Sequence, residues 1–71
     1  MTKYFIRAGY PYDTVELEQY LLAKKAKYVL VSNEFGRAEL TALYSVTMDR
    51  QEAVALKLSI PIIGMVEQPI Q

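Results

Sequence analysis

The stretch AELTALYSVTMDRQEAVALKL (residues 38–58) decides the fold. Its first half alternates: Leu40, Ala42, Tyr44, Val46 and Met48 fall on one side of an extended chain, and Glu39, Thr41, Leu43, Ser45 and Thr47 on the other. A period of two with one apolar face predicts a strand that packs one side on a core and turns the other outward. Then Asp49-Arg50-Gln51-Glu52 repeats the Asp-x-x-Glu pattern of a helix start, and AVALKL follows. This predicts a helix over residues 50–58, although the valine and the apolar run leave a strand as the alternative.

The same strand-then-helix order opens the chain. Residues 3–8 alternate, with Tyr4, Ile6 and Ala8 on one side and Lys3, Phe5 and Arg7 on the other. Gly9 and Pro11 break the strand. Asp13 and Glu16 form a second Asp-x-x-Glu, before a run to Ala26 rich in good helix formers. Its acids come early and Lys24, Lys25 and Lys27 come late, as the helix dipole favours. KYVLVS (residues 27–32) reads as a strand, NEFGR (33–37) as a turn with Asn33 and Gly36 in positive-φ positions, IPIIGMVE (60–67) as a last strand, and QPIQ (68–71) as a tail.

The element order is therefore β-α-β-β-α-β in one small domain over residues 1–71. It predicts an α+β, ferredoxin-like two-layer sandwich: a four-stranded, mainly antiparallel sheet with two helices on one face. A βαββ unit ending in a continuous meander is the competing topology. In the sandwich, Tyr4, Ile6, Leu40, Ala42, Tyr44 and Val46 meet the helices. The other face shows Phe5, Arg7, Thr41, Leu43 and Ser45 from the middle strands. The outer strands add Val29 and Val31, or Tyr28 and Leu30, on one side, and Ile60 and Ile62, or Ile63 and Met65, on the other. Every choice is apolar, so the uncovered face is expected to be an interaction surface unless the tail folds over it. On the first helix Leu17 and Leu21 lie on one side, Val15, Leu22 and Ala26 on another, with Glu18 and Lys25 between. Either these two charges reach water along a wide stripe, or one stripe serves the core and the other a partner.

Composition limits the chemistry. There is no cysteine and no histidine among 71 residues, which removes thiolate and imidazole metal sites, the commonest catalytic base and the strongest nucleophile. No serine stands in a Gly-x-Ser-x-Gly frame, no phosphate-binding glycine loop occurs, and the Asp-x-x-Glu carboxylates are explained as caps. An enzyme, a cofactor and a metal site are not expected. Eight basic residues balance eight acidic ones, so no strong field gathers nucleic acid. An RNA-binding sheet of this order stacks bases on aromatic groups of both middle strands, and only Phe5 is available. The first residues carry Lys3 and Arg7 without a long apolar run, and no stretch approaches a membrane span, so a cytoplasmic protein without a membrane partner is expected.

The remaining candidates are partner-binding residues. Six of eight aromatic residues are tyrosine, a type enriched at interfaces. Tyr10 and Tyr12 flank Pro11; Tyr12 can instead staple onto Leu17. Phe35 at the hairpin tip, beside Arg37, can anchor a partner or fold back on the sheet edge. With Phe5, Arg7 and Leu43 these form the candidate set: Phe5, Arg7, Tyr10, Tyr12, Phe35, Arg37 and Leu43. The expected function is a small non-enzymatic interaction protein, a homodimer that binds or inhibits another protein, a profile common among accessory proteins of viruses and mobile elements. The alternative is a ligand- or nucleotide-binding module with Tyr10, Tyr12, Arg7 and Arg37 around a pocket between subunits. A regulatory domain fused to or docked on an enzyme is a third reading.

Overall fold

The structure, a computed structural model, describes residues 1–10, 12–35 and 40–68. The order is β1 (Thr2–Gly9), α1 (Tyr12–Ala23), β2 (Lys27–Phe35), β3 (Leu40–Met48), α2 (Arg50–Ser59) and β4 (Gly64–Gln68). The strands form one sheet in the order β2-β3-β1-β4, and every neighbouring pair is antiparallel. This is the ferredoxin-like arrangement, with residues 50–58 helical and no terminal meander.

The even-numbered residues of β1 and β3 build the core. Tyr4, Ile6, Ala8, Ala42, Tyr44, Val46 and Met48 are buried together with Leu17 and Leu21 of α1 and Ala53 and Leu56 of α2. Both helices thus cover one face. Leu40, expected in this layer, is exposed, because it stands at the outer end of β3 opposite Phe35. Thr41, expected on the open face, is buried.

Several boundaries differ from the sequence reading. The first helix starts at Tyr12, so Asp13 lies inside its first turn rather than capping it. It ends at Ala23 rather than Ala26, because Lys25 takes φ 55° and reverses the chain. Ala26 N–H then donates to the Leu21 carbonyl at 2.9 Å and Lys25 N–H to the Leu22 carbonyl at 3.1 Å, the paired bonds of a Schellman ending. Asp49 does stand at the N-cap of α2 but makes no side-chain cap bond. Asn33, Glu34 and Phe35 belong to β2, so Asn33 is not a positive-φ turn residue and Phe35 pairs with Leu40 instead of forming a tip. Gly36 and Arg37 lie outside the described residues. At the other end, Pro61 precedes β4 rather than lying in it, and Gln68 is the last residue of β4 rather than the start of a tail. Residues 69–71 lie outside the described residues. Among the described residues, no helix is long and apolar enough to cross a membrane.

Candidate functional site

Cross-strand register assigns the uncovered face residue by residue. Directly opposed residues of antiparallel strands point to the same side. One row across the sheet is therefore Lys27, Thr47, Lys3 and Gln68; the next is Val29, Ser45, Phe5 and Val66; the next is Ser32, Leu43, Arg7 and Gly64. Lysines bound one end of this face, and the second row carries its apolar centre.

Phe5, Arg7 and Leu43 converge as expected, all half-buried. With Ile63, Gly64 and Val66 they line an open depression of about 450 Å³. Gly64 contributes by lacking a side chain, since nothing lies within 4 Å of where its Cβ would be. Ile63 is fixed there by its N–H, which donates to the Arg7 carbonyl at 2.8 Å, extending the β1–β4 ladder by one bond. Val66, opposite Phe5, is 65% exposed. Arg7 is engaged within the chain, so it forms part of the wall and is not a free charge.

The sequence reading missed Val66 and Gly64. It offered residue pairs from the last strand, Ile60 with Ile62 or Ile63 with Met65, whereas register puts Met65 opposite Ile6 on the core side and leaves Val66 outward. The signal was present in the alternation of Met65, Val66 and Glu67, but it was masked by the preceding isoleucines, which the chain does not place in the strand.

The tyrosine candidates are separate from this depression's lining. Tyr10 N–H donates to the Leu40 carbonyl at 2.9 Å and its hydroxyl donates to Asn33 Oδ1 at 2.7 Å, so the ring braces the β1 exit against the β2–β3 hairpin. Tyr12 is 80% exposed, and a staple onto buried Leu17 does not form. The Phe35 side chain and Arg37 lie outside the described part of the structure. Tyr10 and Tyr12, expected with Arg7 around a ligand, are not among the residues that line the depression.

Beneath the opposite face lies the main polar cluster. Tyr44 hydroxyl donates to Glu18 Oε2 at 2.9 Å and Tyr28 hydroxyl to Oε1 at 3.5 Å, while the two rings meet at 6.0 Å and 60°. Glu18 is therefore neither a solvent-seeking charge nor part of an apolar stripe: two phenols accommodate it at the sheet. Burial, and then the hydrogen bond and charge of Glu18, hold the Tyr44 phenol well above its ordinary pKa. At the far edge, Arg50 bridges Glu67 at 3.2 Å. Its pKa is raised first by Glu67 and also by nearby Tyr4, whose buried hydroxyl approaches the guanidinium without completing a well-formed hydrogen bond.

Comparison with protein-family models, curated proteins and solved structures found no match for this chain.

Proposed function

We propose that this chain is a small, non-enzymatic, cytoplasmic interaction protein that self-associates and acts by laying its uncovered sheet face on a partner protein, binding or inhibiting it. The observation that supports this reading is the open depression around Phe5 and Leu43, walled by Ile63 and Val66. Large side chains sit in the middle of a sheet on which no helix lies. Apolar groups at the centre of a surface with polar and basic residues around them match the layout of a protein interface. Lys3 and Lys27, on the row beside Phe5, favour a partner with acidic groups at the rim of its binding surface.

The test has two parts. Sedimentation at high micromolar concentration reports self-association. Affinity capture from the native host, repeated with Phe5→Glu and Leu43→Glu, reports partner binding. Lost capture with unchanged circular dichroism is the expected result; unchanged capture by both variants rejects the face.

A second reading is supported by the volume of the depression, which falls within the range of small-molecule sites. A nucleotide or other small ligand held there between copies raises the melting temperature, since it binds only the native chain. Thermal-shift measurements with millimolar nucleotides separate the two readings.

A further inference from the structure

A second concave site lies on the helix-covered side of the sheet, away from the Phe5–Leu43 face. Tyr4 stands opposite Glu67 in the β1–β4 pairing, and Ile6 stands opposite Met65. Tyr4, Met65 and Glu67 therefore share the side that carries the helices. From α2 come Arg50, Val54 and Lys57, spaced four and three residues apart and so on one side of the helix. These side chains line a cavity of about 350 Å³ between α2 and the outer strand β4. That volume lies near the lower end of the range for small-molecule sites.

The inner wall holds a polar group without a partner. Tyr4 is 5% exposed, and its hydroxyl is buried with no completed hydrogen bond. A buried O–H without an acceptor forfeits the bond it had with water. The neighbouring Arg50 guanidinium carries only donors and cannot take the phenolic proton. Arg50 spends a single nitrogen, Nη2, on both oxygens of Glu67, at 3.2 and 3.4 Å. The two side chains of this pair are 73% and 49% exposed, and surface pairs of this kind are weak and easily redirected. Lys57 is exposed on the same rim. Three sets of donors thus surround one cavity, and its one carboxylate is already engaged by Nη2.

We propose that this cavity binds a small carboxylic acid as its anion. The Tyr4 hydroxyl and the Arg50 guanidinium donate to the carboxylate, Lys57 adds charge at the rim, and a short hydrocarbon body lies on Val54 and Met65. A planar carboxylate suits the fork of a guanidinium. Two cations against the Glu67 carboxylate leave one positive charge, which matches a monoanion. Val54 is 55% exposed and Met65 is partly buried against the core. This apolar wall favours a ligand with carbon beyond its charged head over an inorganic anion. The site lies on the opposite side of the sheet from Phe5 and Val66, so it stands or falls independently of the partner-binding face.

The probe is sodium hexanoate, titrated at constant ionic strength into the full chain and followed by backbone amide chemical shifts. Hexanol supplies the tail without the charge, and inorganic phosphate supplies charge without the tail. Saturable shifts are expected at amides of α2 and β4, with hexanoate binding more tightly than either control. Tyr4→Phe keeps the ring and the fold and removes one bond to a charged acceptor, so its Kd for hexanoate is expected to rise roughly tenfold or more. Lys57→Gln, a change on the exposed rim, is expected to weaken binding by a smaller factor. No saturable binding of hexanoate overturns the site. An unchanged Kd in folded Tyr4→Phe overturns it as well, since the ligand then binds elsewhere. Hexanol or phosphate binding as tightly as hexanoate overturns the assigned ligand class.

Discussion

Tyr44 donates its hydroxyl to Glu18 across the helix–sheet interface at 2.9 Å. The phenol is buried in the middle strand, and the carboxylate comes from the helix that covers it. Tyr44→Phe removes a hydrogen bond to a charged acceptor, a change worth about 1.5–3 kcal/mol. For a domain of this size a loss of 1 kcal/mol lowers Tm by about 4–8 °C. Urea unfolding of Tyr44→Phe, with an unchanged m-value, checks it.

The same contact sets an alkaline limit. The folded Tyr44 pKa is raised above its unfolded value, so the folded chain holds the proton more tightly. The stabilisation is fully present below about pH 10, the unfolded phenol's pKa. It is lost as the pH climbs from there through the raised folded pKa, because only the unfolded chain releases the proton. Denaturation midpoints above pH 10 should fall less steeply for Tyr44→Phe than for the native sequence.

Tyr4 provides the opposite case. Its hydroxyl is buried without a completed hydrogen bond. Tyr4→Phe keeps the ring and removes a polar group that gains little on folding. Its stability is expected to equal or exceed that of the native chain, by up to about 1 kcal/mol. A loss as large as that of Tyr44→Phe would show that the phenol is firmly bonded in solution.

Lys25 holds φ 55° at a helix end where glycine is usual. A left-handed conformation costs a residue with a Cβ about 1–2 kcal/mol, and glycine's extra unfolded-state entropy offsets about 0.5–1 of that. Lys25→Gly is therefore expected to stabilise the fold by about 0.5–1 kcal/mol. Chemical denaturation measures the difference.

Core and surface leucines separate cleanly. Leu21 is fully buried and Leu58 is 83% exposed. Leu21→Ala is expected to cost about 2–5 kcal/mol, enough to leave a domain this small largely unfolded near 37 °C. Leu58→Ala should stay within about 0.5 kcal/mol. Equal effects would mean that α2 packs through another side.

The order of the six elements was legible in the sequence because each rests on local chemistry. The alternation of residues 40–48 comes from the two-residue pleat, and the two Asp-x-x-Glu starts mark where helices begin even though Asp49 makes no side-chain cap bond. Tyr4, Ile6, Ala42, Tyr44 and Val46 could be assigned to the core because a period of two leaves no other grouping. Phe5, Arg7 and Leu43 shared a face for the same reason. What the sequence did not contain was the register between strands. Only hydrogen bonding between β1 and β4 decides that Val66, and not Met65, stands beside Phe5. Only the bulge in β2 decides that Ser32 joins the face of Lys27 and Val29. The fate of Glu18 was equally out of reach: a carboxylate between two apolar stripes is costly to bury by itself, and its acceptors' partners, Tyr28 and Tyr44, lie 10 and 26 residues away. Local pattern fixes which way each side chain points along its own element; which neighbour it then meets depends on contacts between distant segments, and those form only when the chain folds.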